Sequence, residues 1–198
     1  MAFLDRVPSL GSAHAGSSVP GQTEPPTTLS DVQVIDVPGF PTAVVRGVDQ
    51  PTADMHTFMD SAFTALGGAI ARGEVTPVGP AFSRYDADVR HGLGDTVDLE
   101  VGFPLAAPLA GPVEMDGVRV EPSSLPACRL ATAKHTGPYE GLPQAWPAFI
   151  TQVQELGGEP GDVFWEAYDT EPGPGVDPAT LVTGLAVPVH GTPALRDR

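Results

Sequence analysis

Between Val163 and Tyr168 the chain places Phe164, Glu166 and Tyr168 two residues apart. In an extended strand that spacing puts all three on one face, because successive side chains point to opposite sides. The other face carries Val163, Trp165 and Ala167, a set suited to packing under a helix. A carboxylate between two aromatic rings is a site for flat organic cations. Ring faces attract positive charge by roughly 0.5–2 kcal/mol per contact, and the carboxylate supplies the countercharge. A second acid, Glu100, stands in Val97–Phe103, where Val97, Leu99, Val101 and Phe103 leave Asp98 and Glu100 on the opposite face. A carboxyl in an apolar groove can also act as a general base when its pKa is raised. The same residues therefore admit hydrolysis, with Glu166 and Glu100 holding and activating water.

Two helices must position these strands. From Met55, apolar residues recur at Phe58, Met59, Ala62, Phe63, Leu66 and Ile70, the i, i+3, i+4, i+7 spacing of an amphipathic helix. Asp49 and Pro51 supply cap and first-turn chemistry, and Gly73 lies past the end. A second helix carries Leu142, Trp146, Phe149, Ile150, Val153 and Leu156 and stops at Gly157-Gly158. Trp146 and the pair Met55 and Met59 fall on core faces and read as packing. The flanking segments repeat as well: Pro41–Val45 matches Pro126–Leu130, Ala81–Asp86 matches Phe164–Asp169, and Val97–Pro104 matches Leu181–Pro188. Tyr85 is thus the twin of Tyr168, and Ser83 the twin of Glu166. The pattern is an internal duplication of a strand–helix–strand–strand unit. Each copy would leave one sheet face covered by its helix and the other bare. Pairing about a pseudo-two-fold axis would create a groove lined by Tyr85, Tyr168, Phe164, Glu166 and Glu100, with Tyr139 available to close it.

The 10 basic and 25 acidic side chains among 198 residues give a net charge of −15, with Lys134 the single lysine. That argues against a nucleic-acid binder, which needs a basic patch, and the same field attracts cations. A lone cysteine, Cys128, permits no internal disulfide. The five histidines, His14, His56, His91, His135 and His190, show no metal-ligand spacing, and His135 reads as a structural hydrogen-bonder before a Gly-Pro turn. His91–Asp95 reads as a hairpin loop. No P-loop, G-x-S-x-G or dinucleotide fingerprint occurs, so no cofactor is expected. No apolar run reaches the roughly 20 residues of a membrane span, and no signal peptide is evident; a cytoplasmic protein is expected. Residues 1–30, rich in Ser, Gly, Pro and Thr, read as a flexible tail, 31–190 as the folded domain with repeats about 31–108 and 117–190, and 191–198 as a frayed end.

The run Lys134-His135-Thr136-Gly137-Pro138-Tyr139-Glu140-Gly141-Leu142, then Trp146, Trp165-Glu166-Ala167-Tyr168-Asp169 and Val187-Pro188-Val189 resembles the GyrI-like small-molecule-binding family, which supplies effector-binding domains of MerR-type and AraC-type multidrug regulators. The resemblance implies that Glu166 meets cationic drugs in an aromatic pocket lined in part by Tyr168. It also implies kinship with standalone members that hydrolyse cyclopropane-bearing DNA-alkylating natural products. No helix-turn-helix is read in the chain, so a standalone member is expected. Ser83 leaves the two halves unequal, and Glu171-Pro172-Gly173-Pro174-Gly175 could reshape one rim.

The expected fold is α+β: two β-α-β-β repeats forming an antiparallel sheet, with both helices on one face and a ligand groove on the other. The leading functional expectation is binding and sequestration of hydrophobic, often cationic aromatic molecules through Tyr85, Glu100, Tyr139, Phe164, Glu166 and Tyr168. The alternatives are a hydrolase acting through Glu166 and Glu100, and an acidic protein inhibitor of a DNA-dependent enzyme.

Overall fold

The computed structural model describes residues 28–190 apart from 171, 172 and 174. Thirteen principal elements follow in chain order: β1 (Thr28–Leu29), β2 (Gln33–Val37), β3 (Phe40–Pro51), α1 (Met55–Ala71), β4 (Ala81–Asp86), β5 (Thr96–Pro104), β6 (Val113–Met115), β7 (Val118–Leu125), β8 (Cys128–Thr136), α2 (Leu142–Glu155), β9 (Glu159–Pro160), β10 (Phe164–Tyr168) and β11 (Val182–His190). The strands form one antiparallel sheet in the order β1-β8-β11-β10-β4-β5-β3-β7-β6, with β2 also on β8 and β9 on β11. The α+β class and its two helices are as the repeat led us to expect. The units β3-α1-β4-β5 and β8-α2-β10-β11 lie side by side and meet where β4 pairs β10. β1 occupies Thr28–Leu29, so ordered pairing begins inside the segment read as a tail; residues 1–27 and 191–198 lie outside the described residues, as do Glu171, Pro172 and Pro174.

The symmetry axis can be located from register. Adding 83 carries β4 onto β10, and the pairs Phe164↔Tyr85 and Tyr168↔Ala81 exchange under that shift, whereas Glu166↔Ser83 maps onto itself. The Glu166–Ser83 pair therefore straddles the pseudo-two-fold axis. An acid in place of Ser83 would face Glu166 directly across the strands, an unfavourable like-charge pair.

Apolar periodicity produced both helices at the expected positions. Met55, Met59, Ala62, Phe63 and Leu66 of α1 are buried, as are Leu142, Ala145, Trp146, Phe149, Ile150 and Val153 of α2. Gly73 (φ 74°) and Gly157 (φ 79°) end them in the left-handed conformation that glycine adopts without strain. Asp49 does not cap α1. It lies in a bulge of β3, between Gly47 and Gln50, with φ 49° and its N–H donating to Asp98 Oδ1 at 2.7 Å; a single 3-10 turn (Thr52–Asp54) then leads into the helix. β6 and β7 form a hairpin over Asp116-Gly117, both at positive φ, the dipeptide such turns favour. Among the described residues, no helix is long and apolar enough to cross a membrane.

Candidate functional site

The β4–β10 seam is covered by side chains from both helices. Trp146 of α2 lies edge-on to Phe164, with ring centroids 4.8 Å apart, and Phe164 stacks on Tyr85 at 4.7 Å. Phe63 of α1 meets Tyr168 at 6.2 Å, and Met59 Sδ is 3.9 Å from Ser83 Oγ. Tyr139, in the 3-10 turn Tyr139–Gly141 before α2, meets Tyr168 edge-on at 5.9 Å. Strand alternation therefore puts Phe164, Glu166 and Tyr168 on the helix-covered face.

This corrects the expected placement of the groove. Trp165 and Ala167, expected under a helix, face the other way, where Trp165 pairs in register with Arg84 and Ala186. Alternation partitions a strand into two faces but does not say which one a helix will cover. Burial decided it: a buried carboxylate needs donors, and α2 brings one.

Glu166 is 3% exposed. Its Oε1 accepts from the Trp146 indole N–H at 2.9 Å; its Oε2 accepts from Tyr168 at 3.1 Å and lies 3.5 Å from Tyr85 Oη. Tyr168 Oη is also 2.9 Å from Ser83 Oγ, so its single proton serves one oxygen at a time. All three donors are neutral. Burial raises the Glu166 carboxyl above its ordinary value, opposed by the bonds from Trp146, Tyr168 and Tyr85. Burial first, and then the charge of Glu166, pushes the Tyr139 phenol up to about 12. Burial likewise holds Tyr85 and Tyr168 well above the usual phenol value. The phenols are donors and ring surfaces at neutral pH. None is a base.

Five of the six expected site residues, Tyr85, Tyr139, Phe164, Glu166 and Tyr168, come together here. Glu100 does not. Register aligns Glu166 with Ser83 and Val101 on one face, and Glu100 with Arg84 and Trp165 on the other. There Glu100 accepts from Arg46 at 2.6 Å and Ser123 at 3.0 Å and lies 3.5 Å from Arg84. With the sheet between them, Glu100 and Glu166 cannot hold one water molecule. Trp146, read from the sequence as packing, is the residue missed. Its signal was available: an indole on a helix's core face needs an acceptor for its N–H. Among the described residues, no group of three or more His, Cys, Asp or Glu side chains is arranged to hold a metal ion.

Comparison with curated proteins returned no match. Among solved structures, the EcmrR C-terminal domain superposes with a TM-score of 0.63 at 16% identity, covering 82% of this chain and 99% of that one. Against EcmrR in its DNA complex, the chain spans 58% of the neighbour's length. SAV2435 bound to tetraphenylphosphonium superposes at 0.58, with 10% identity and 81% and 94% coverage. A hydrolase encoded by lin2189 from Listeria innocua superposes at 0.54, with 15% identity and 81% and 92% coverage. At these identities the likeness establishes a shared fold. The model of the GyrI-like small molecule binding domain matches residues 30–190, most of the chain and the whole seam with its covering helices, and the chain therefore belongs to the GyrI-like family.

Proposed function

We propose that this GyrI-like domain binds aromatic cations, with Glu166 as the countercharge and Tyr85, Tyr139, Trp146, Phe164 and Tyr168 as the ring surfaces, and that it sequesters them. The observation that carries the reading is a carboxylate in the middle of the core whose partners are all neutral. A protein interior ordinarily pairs a buried charge with an opposite one. Here the described partners supply hydrogen bonds and aromatic faces, the surroundings that a delocalised cation prefers. The net charge of −15 adds a long-range attraction for cations. Tyr85 and Phe164 are each 2% exposed, so a ligand enters by displacing rings that now pack on one another. The first turns of α2 are suited to yield. Pro147 lacks the N–H that would bond the Pro143 carbonyl, leaving a gap in the ladder beside Trp146.

The test is a titration with tetraphenylphosphonium and with the neutral triphenylphosphine oxide, followed by tryptophan fluorescence, on the native chain and on Glu166→Gln. Removing one partner of a buried charge pair costs about 3 kcal/mol or more, over a hundredfold in Kd. The phosphonium should lose that much while the neutral compound loses little. Equal affinity of both proteins for the phosphonium refutes the assignment.

A hydrolytic reading has one observation in its favour, the Glu166 carboxyl raised by its burial among aromatic rings, as a general base requires. Glu166 would act without Glu100. Catalytic gain of one water by a cyclopropane-bearing alkylator, lost in Glu166→Gln, would replace sequestration by turnover.

A further inference from the structure

On the two strands beyond β10, on the same helix-covered face as Glu166, three buried polar atoms have no partner. Register runs Tyr168↔Thr183↔His135 across β10, β11 and β8. Both Thr183 and His135 are fully buried, and Thr183 Oγ1, His135 Nδ1 and His135 Nε2 have no hydrogen bond. Buried polar side chains nearly always find one, and an adjacent unpaired set such as this has bonding capacity to offer a guest group or ordered water. At about 4.8 Å per strand, His135 lies on the order of 10 Å across the sheet from the column holding Tyr168 and Glu166. The turn that follows β8, Thr136-Gly137-Pro138, delivers Tyr139 onto Tyr168. His135 and the aromatic cluster therefore adjoin the same 3-10 turn, within the span of one two- or three-ring molecule.

We propose that His135 and Thr183 form the polar end of the ligand site and recognise a neutral hydroxyl or amide on the ligand. This deepens the reading above and rests on it for the position of the ligand's rings. Burial holds the His135 imidazole below its ordinary value, so one ring nitrogen donates and the other accepts. The Thr183 hydroxyl can do either. Such a pair matches a group that both gives and takes a hydrogen bond and does not select a charged one. A site built to pair a hydroxyl discriminates strongly against the analogue lacking it, because its own polar groups are then left unpaired.

The experiment compares tetraphenylphosphonium with (4-hydroxyphenyl)triphenylphosphonium on the native chain, Thr183→Val and His135→Phe, with the His135 ring nitrogens followed by NMR. The native chain should bind the hydroxylated cation about tenfold more tightly, with a saturable shift of the ring nitrogens. The affinity ratio should fall to about one in Thr183→Val, a near-isosteric change that keeps the test intact if His135→Phe does not fold. Equal affinities in the native chain, as expected if the pair holds ordered water only, overturn the proposal, as does a preference that survives both variants. If neither cation binds, the Glu166 reading fails, and the polar pair is judged with neutral 4-phenylphenol. A saturable shift of the ring nitrogens, weakened in Thr183→Val, supports it, and no shift overturns it.

Discussion

Replacing Glu166 by Gln should change how stability depends on pH. An unfolded glutamate releases its proton near 4.5, whereas burial raises the folded carboxyl above that value. Between the two, the folded chain holds a proton that the unfolded chain has lost, so stability falls as pH rises. Below 4.5 the contribution is flat, and above the folded value it is flat again at its lower level. Within the window the slope is up to about 1.4 kcal/mol per pH unit, or about 3–5 °C per unit for a domain of this size. Two other groups act on the same curve. Asp88, held down to about 2 by Arg90, contributes stability that is lost only below pH 4. His135, lowered by burial, contributes in the opposite sense, with stability gained as pH rises toward 6.5. Subtracting the Glu166→Gln curve from the native one removes both. The assay is thermal unfolding at half-unit steps from pH 4 to 8.5, and the native chain should lose ground steadily to the variant above 4.5. Parallel curves would refute the argument, because a carboxyl with no shift between states contributes no slope.

Trp146→Phe deletes the indole donor at 2.9 Å from Glu166. It should lower stability by about 1–3 kcal/mol, the worth of a hydrogen bond to a charged group, and extend the falling limb of the pH curve upward, both read from the same unfolding series. Glu100→Gln should cost only about 1 kcal/mol, since its closest partner Arg46 is half exposed, and should leave phosphonium affinity within twofold. Gly102→Ala in the middle of β5 would put a Cβ 2.0 Å from the Ala43 carbonyl oxygen of β3. The strands must part, lowering stability by about 2 kcal/mol or more, seen as a drop of several degrees in Tm.

Much of the fold was legible because it rests on local periodicity. Met55 to Ile70 and Leu142 to Leu156 carry apolar stripes that admit one helical phase, and both helices formed there. The duplication paired β4 with β10 as equivalents, and the structure joins those two strands at the axis. The Asp116-Gly117 turn between β6 and β7 was present in the sequence as a hairpin signal, although those strands were not read from it. β1 and β2 could not be read: they are short edge segments completed by pairing with β8, and such pairing leaves little local pattern.

The candidate site divides along the same line. Residue types and two-residue spacing by themselves determined that Phe164, Glu166 and Tyr168 share a face, and the repeat linked Tyr85 to them. Tertiary structure alone decided which face that was, and that Glu100 lay on the other. Strand alternation has two phases of equal local energy. Choosing between them requires the register of β10, β4 and β5 and the helices that dock on the sheet. Trp146, 20 residues from Glu166 in sequence, reaches the carboxylate only when α2 is docked. His135, read from the sequence as a structural hydrogen-bonder but with neither ring nitrogen bonded, and Thr183, not singled out there, are a pair only because β8 and β11 run side by side. Contacts that close long loops leave no local trace, because the free energy that selects them is gained only when the whole sheet has formed.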